Sequence, residues 1–194
     1  VILNGAGVVL GGAIPASMAL AERLDAPVCV GYQHNDAFPG SHPLFAGPLG
    51  YNGSKAAMEL ISGADVVLCL GTRLNPFSTL PGYALDYWPK TAKIIQVDIN
   101  PDRIGLTKKV TVGIVGDAKK VAEAVLARLA TTAGDHARSE RKARIAQVKS
   151  AWAQALSSMD HEDDDPGTSW NDRARKAKPD WMSPRMAWRA IQSA

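Results

Sequence analysis

Ala64 to Asn75, ADVVLCLGTRLN, constrains the fold more than any other stretch of this 194-residue chain. Its apolar run, Val66 to Leu70, shows no polar alternation and stops at Gly71-Thr72-Arg73. A short run of this kind reads as a strand buried on both faces, as in a parallel sheet covered by helices. Thr72 and Arg73 then fall just past its carboxyl end, where open α/β sheets bind ligands. The alternative at those positions is an ordinary solvated loop behind a core strand.

The flanking segments repeat the pattern. Val1-Ile2-Leu3 reads as a strand cut short at its start, followed by Asn4-Gly5-Ala6-Gly7. Ile14, Met18 and Ala21, with Leu20 and Leu24, keep helical spacing over Ile14 to Leu24. Strand, Gly-x-Gly turn and helix form the entry to a nucleotide-binding unit, where glycines let a phosphate approach backbone N–H groups. No third glycine follows at the dinucleotide-fold spacing, so a plain tight turn explains Gly5 and Gly7 equally well. Val28-Cys29-Val30 is a second short strand. Gly31 to Gly53, rich in glycine and proline, has almost no regular period and reads as one long loop. Phe38, Leu44, Phe45, Leu49 and Tyr51 within it call for burial. His34, Asp36 and His42 form a close group of titratable residues there, either solvated or functional.

Ser54 is placed to cap a helix over Lys55 to Ile61, which Gly63 ends. Asn75 to Pro89 is a loop whose Phe77, Tyr83, Tyr87 and Trp88 either pack beneath it or line a pocket. Lys93 to Asp98 is a further buried strand. Its terminal Asp98 suits a ribose hydroxyl or, ahead of Pro101, a helix N-cap. Val110 to Val115 is the last strand, and Asp117 caps a helix to Leu129 with Val121, Val125 and Leu129 in register. Strands alternating with short helices predict an α/β fold: a doubly wound, mostly parallel, open sheet of five or six strands, Rossmann-like. This domain is expected to occupy residues 1–132.

Residues 133–179 then read as a charged helix and an acidic linker. Ile145, Val148, Trp152 and Leu156 form one stripe between His136 and Met159, and five acids surround His161 before Pro166-Gly167. Ser183-Pro184 opens a final helix through Ala187, Trp188 and Ile191, so residues 180–194 are expected to start a further, missing domain.

Composition excludes several classes. The net charge is +3, and residues 1–135 balance 11 basic against 11 acidic side chains, so the excess of base lies in a tail of mixed sign. That is no nucleic-acid face. Cys29 and Cys69 each sit in an apolar run, as buried reduced thiols rather than a disulfide. No CxxC or HExxH spacing is present, which argues against a metal site. The start lacks a signal-peptide pattern, and no apolar run nears the roughly 18 residues that span a bilayer. The expectation is a soluble cytoplasmic protein with no membrane partner.

Taken in order, Gly5-Ala6-Gly7, HPLFAGPLGYNG, GADVVLCLGTRLN, IIQVDINPDRIG and VGDAKKV resemble the central domain of thiamine diphosphate enzymes, the acetolactate synthase and pyruvate oxidase superfamily. Within it, GYQHNDAFPGSHP, LGYNGSKAAMELIS and GTRLNPFSTLPGY are most similar to the sulfoacetaldehyde acetyltransferase branch. The resemblance covers residues 1 to about 130, and WMSPRMAWRAI is similar to the opening of the C-terminal domain of these enzymes.

The resemblance implies a transferase fragment. In complete enzymes an N-terminal domain supplies the glutamate that activates thiamine, and a C-terminal domain binds magnesium through Gly-Asp-Gly…Asn. Neither is here, and Gly116-Asp117-Ala118 is not that signature, so no catalytic residue is assigned. The whole enzyme would convert sulfoacetaldehyde and phosphate to acetyl phosphate and sulfite, as a homodimer or homotetramer, using thiamine diphosphate and Mg²⁺. Central domains of relatives bind FAD or an ADP-containing nucleotide such as CoA. By motif match Gly5, Gly7, Gly71, Thr72, Arg73, Asp98 and Asp117 fall at those contacts, and Phe38 and His42 border the substrate channel. The competing readings are a stand-alone nucleotide- or CoA-binding module, and another thiamine enzyme such as acetolactate synthase or oxalyl-CoA decarboxylase.

Overall fold

The structure is a computed structural model and describes residues 1–129, 135–159, 187, 190 and 191. Six strands are present among the described residues: β1 (Ile2–Asn4), β2 (Val28–Gly31), β3 (Phe45–Leu49), β4 (Val66–Leu70), β5 (Lys93–Asp98) and β6 (Val112–Val115). They form one sheet in the order β3-β2-β1-β4-β5-β6, and every neighbouring pair is parallel. The expected doubly wound α/β sheet is therefore present, with six strands.

Alternation along the strands explains why both faces are covered. Ile2, Val28, Val30, Leu68 and Leu70 point into one cluster, and Leu3, Cys29, Val67, Cys69 and Ile94 into the other. Each fully buried aliphatic side chain contributes about 2 kcal/mol by its removal from water. The first cluster is closed by α2 (Ile14–Leu24) and α4 (Ala118–Arg128), preceded in the chain by a short α1 (Ala6–Leu10). The second is closed by α3 (Lys55–Ser62) through Ala57, Met58 and Ile61. The caps act as the side-chain chemistry requires. Ser54 Oγ accepts from Ala57 N at 3.3 Å, and Asp117 Oδ1 accepts from Lys120 N at 3.0 Å.

Three segments differ from expectation. The stretch Gly31 to Gly53 is not one loop: β3 lies inside it and pairs with β2, with a register shift between Val28 and Cys29. FAGPL hides as a strand because Gly47 and Pro48 are poor strand formers. Pro48 is tolerated because β3 is the sheet edge, where a missing donor leaves no ladder unpaired. Second, α1 follows Gly5 at once, leaving Leu10 86% exposed. Third, Asp98 is not a helix cap. Asn100 takes that part, its Oδ1 accepting from Asp102 N at 2.9 Å, while Asp98 Oδ1 accepts from Asn100 N at 2.9 Å. The aromatic loop divides: Tyr87 is buried and its hydroxyl donates to Ser78 O, whereas Phe77 and Tyr83 are exposed.

The chain divides into two compact units, Val1–Lys149 and Ser150–Ala194. A long helix, α5 (Asp135–Met159), crosses that boundary. Its part within the first unit is tied down by buried Ile145 and Val148 and by Lys142–Asp25 and Arg144–Glu59 ion pairs. In the second unit the helix continues to Met159, and Ala187, Ala190 and Ile191 are helical. The acidic run around His161 and the Ser183-Pro184 start lie outside the described residues. Among the described residues no helix is long and apolar enough to cross a membrane.

Both cysteines are buried free thiols, which desolvation pushes up to about 12 from an ordinary 9.0. Burial also raises the Tyr87 phenol from 10.0 to about 12. These groups stay protonated in the folded chain at a pH where the unfolded chain loses their protons. The stability they allow is intact below about pH 9 and is lost as pH rises toward 12. We expect the denaturant midpoint to fall above pH 9 and neither thiol to react with an aromatic disulfide reagent at pH 8 before unfolding. Prompt labelling of the native chain at pH 8 would contradict that burial.

Candidate functional site

The sheet order reverses between β1 and β4, because the chain winds outward from β1 to β3 and then returns to β4 beside β1. Loops leaving the carboxyl ends of these two strands diverge, and a crevice opens there. A cleft of about 440 Å³ occupies this point, within the range of small-molecule sites. Gly5, Gly7, Gly71, Thr72, Arg73, Asp98 and Asp117 all line it. The seven positions matched to nucleotide contacts are thus brought together from four loops far apart in sequence.

The glycines have a use different from the one that the Gly-x-Gly pattern suggests. Gly5 N donates to Leu70 O and Gly7 N to Gly71 O, at 3.0 and 2.8 Å, so neither amide is offered to the cleft. A Cβ at Gly5 would lie 2.5 Å from Thr72 Cβ, and one at Gly7 would lie 2.7 Å from Gly71 Cα. These residues let the loops after β1 and β4 interlock. Asn4 anchors the same corner from beneath: it is fully buried, and its Nδ2 donates to Ser17 Oγ and Ala37 O at 2.8 and 3.0 Å.

Arg73 is presented by a tightly held loop. Gly71 and Leu74 on either side have φ of +55° and +54°. The Leu74 side chain is buried, its N–H donates to Thr72 Oγ1 at 3.2 Å, and its carbonyl accepts from Thr107 Oγ1 at 2.7 Å. A left-handed, non-glycine residue persists only where its surroundings over-determine it. The Arg73 side chain itself is exposed and has no partner among the described residues. Asp98 is 5% exposed, and its backbone carbonyl accepts from Gly116 N at 3.0 Å. One of its carboxylate oxygens is held by Asn100 N, and the other has no partner among the described residues. Asp117 closes the rim; a Cβ on Gly11 would meet its Oδ2 at 3.0 Å.

Arg103 also lines the cleft; it lies within the IIQVDINPDRIG motif, of which only Asp98 was assigned a contact. It ends the one-turn helix Pro101–Arg103, and the Asn100-Pro101 start was the available signal. Gln96, buried on β5, was missed for a similar reason: a single glutamine inside a strand has no pattern to mark it.

Phe38 and His42 lie elsewhere. Phe38 is 1% exposed, with its ring 6.2 Å from Phe45 and 5.0 Å, edge-on, from His42. His42 lines a separate groove of about 790 Å³ beside α5. Leu44 N donates to its Nδ1 at 3.1 Å, which makes Nε2 the protonated nitrogen, and Nε2 donates to Glu22 Oε1 at 3.1 Å. His34 faces the cleft, 3.9 Å from Asp36, so the close group of the sequence is split between two surfaces.

Asp117 is occupied as a helix cap, and no group of three or more His, Cys, Asp and Glu among the described residues could hold a metal ion.

Comparison with known proteins places the chain in a family. Residues 1–125 match the family model described as thiamine pyrophosphate enzyme, central domain. A sulfoacetaldehyde acetyltransferase from Roseovarius nubinhibens is 81% identical over 194 residues, covering all of this chain and 32% of that protein. One from Rhodobacter capsulatus is 78% identical over 194 residues, covering 100% of this chain and 33% of that protein. A solved structure assigned to a thiamin diphosphate-dependent enzyme of Mycobacterium smegmatis aligns with a TM-score of 0.55 at 27% identity, covering 69% of this chain and 25% of that chain. The chain therefore spans about a third of the length of the curated relatives it matches. With more than half of its length matched to that model, the chain belongs to the thiamine pyrophosphate enzyme family as its central domain.

Proposed function

We propose that this chain is the central domain of a sulfoacetaldehyde acetyltransferase, a scaffold without catalysis of its own. The identity along its whole length to an enzyme of that activity is the observation that carries the reading. The complete enzyme converts sulfoacetaldehyde and phosphate to acetyl phosphate and sulfite in the cytoplasm, as a homodimer or homotetramer. Thiamine diphosphate with Mg²⁺ would supply the electron sink for the carbon–sulfur cleavage that releases sulfite, held by N- and C-terminal domains that are the partners of this one. Residues 1–132 are the domain, 133–179 the connector, and 180–194 the start of the C-terminal domain. Phe38 and His42 act near the substrate channel through the loop they anchor.

In the same reading the cleft takes the diphosphate and ribose of FAD, ADP or CoA. Arg73 pairs with the diphosphate, and the free carboxylate oxygen of Asp98 accepts from a ribose hydroxyl. Because Gly5, Gly7, Gly71, Thr72, Arg73, Asp98 and Asp117 all line one cleft of this chain, a second reading is a stand-alone nucleotide-binding module.

Sulfite release separates the two. A polypeptide uniting this chain with the remaining domains, given sulfoacetaldehyde, phosphate, thiamine diphosphate and Mg²⁺, should form sulfite and acetyl phosphate in equal amounts. The 194-residue chain alone should form neither. Turnover by the chain alone would overturn the scaffold reading, and acetolactate formation from pyruvate in place of sulfite release would overturn the substrate.

A further inference from the structure

Gln96 occupies a β5 position on the face of Ile94, where an apolar residue would complete the core. It is fully buried, and an amide in such a place is costly unless its polar atoms are satisfied. They are satisfied across two loops. Nε2 donates to Thr72 O at 3.0 Å and to Arg103 O at 3.1 Å, and Oε1 accepts from Gly105 N at 2.9 Å. Gln96 thus fastens the loop after β4 to the loop after β5, beside the Thr107 Oγ1 bond to Leu74 O at 2.7 Å. Each loop carries one arginine at the same cleft, and neither guanidinium has a partner among the described residues.

We propose that Gln96 is a positioning residue that couples these loops, so that Arg73 and Arg103 bind a diphosphate-type anion as a single clamp. This rests on the nucleotide reading of the cleft. Two guanidinium groups held at a fixed spacing bind one anion cooperatively, because the second contact needs no further ordering of the loop. Two untethered arginines would contribute independently.

The experiment is a double-mutant cycle on the 194-residue chain, read by calorimetric titration with ADP and inorganic pyrophosphate at a temperature where every variant is folded. Arg73→Ala and Arg103→Ala are each expected to weaken binding about tenfold, with the double variant losing clearly less than the product of the two. In a Gln96→Met background the two losses should become independent and smaller. Ile61→Val, a core truncation outside the cleft, should leave the coupling intact and so separates positioning from general destabilisation. If Gln96→Met does not fold, Gln96→Glu is the substitute: it keeps an acceptor for Gly105 N, donates to neither carbonyl when ionised, and should lose the coupling at pH 8. Coupling that persists in both Gln96 variants, or that Ile61→Val abolishes equally, overturns the positioning role and leaves the nucleotide reading standing. Absence of ADP and pyrophosphate binding to the unsubstituted chain, with sulfite release by the complete polypeptide unaffected, overturns the nucleotide reading and the clamp together.

Discussion

Gly71→Ala is expected to destabilise the chain by about 3 kcal/mol. Two costs combine at this position. An L residue at φ +55° carries roughly 1–2 kcal/mol of left-handed strain. The added methyl would also lie 2.6 Å from Gly7 Cα, 2.7 Å from Gly7 C and 2.9 Å from Val8 N, all of them backbone. No side-chain rotation relieves such contacts, so the loops after β1 and β4 must part, at an overpacking cost of about 1–3 kcal/mol. Gly12→Ala isolates the first cost. Its φ is +60°, yet nothing lies within 4 Å of the built Cβ, and a loss of about 1 kcal/mol is expected there. Urea unfolding of both variants, compared at constant m, gives the contrast. Equal losses would mean that the interlock after β1 and β4 does not exist.

Phe38→Ala should cost about 3–5 kcal/mol, the range for deleting a fully buried aromatic ring. The ring packs against Phe45 of β3 and lies edge-on to His42, so its loss opens a cavity between the sheet edge and the His42 loop. Aromatic pairing adds about 0.5–1.5 kcal/mol beyond the burial itself. A residue whose main task was to line an open channel would behave otherwise, with a stability change under about 1 kcal/mol. Chemical denaturation distinguishes these outcomes directly.

The outline of the fold was legible because it depends on local pattern. VVLCL is apolar without alternation, and such a segment has few ways to satisfy its backbone except in a covered parallel sheet. The caps at Ser54 and Asp117 were equally plain, since capping involves only residues three apart. β3 was not legible. An edge strand makes hydrogen bonds to one side only, so FAGPL escapes the demands that would have excluded its glycine and proline. Asp98 shows the same limit at one residue, because a ribose acceptor and a helix cap look alike until Asn100 is seen to take the cap.

The cleft divides the two sources of information most clearly. By itself the sequence determined which short segments end strands, their order was enough to suggest a ligand crevice, and the family resemblance implied Gly5, Gly7, Gly71, Thr72, Arg73, Asp98 and Asp117 around it. What each residue does there was decided only by the tertiary structure. Gly5 and Gly7 have their amides spent on the neighbouring loop, Phe38 and His42 turn away from the cleft, and Arg103 joins Arg73 through Gln96. The reason is one of range. Strand periodicity and capping act over a few neighbouring residues, whereas the role of a side chain at a crevice depends on groups that folding brings from distant loops.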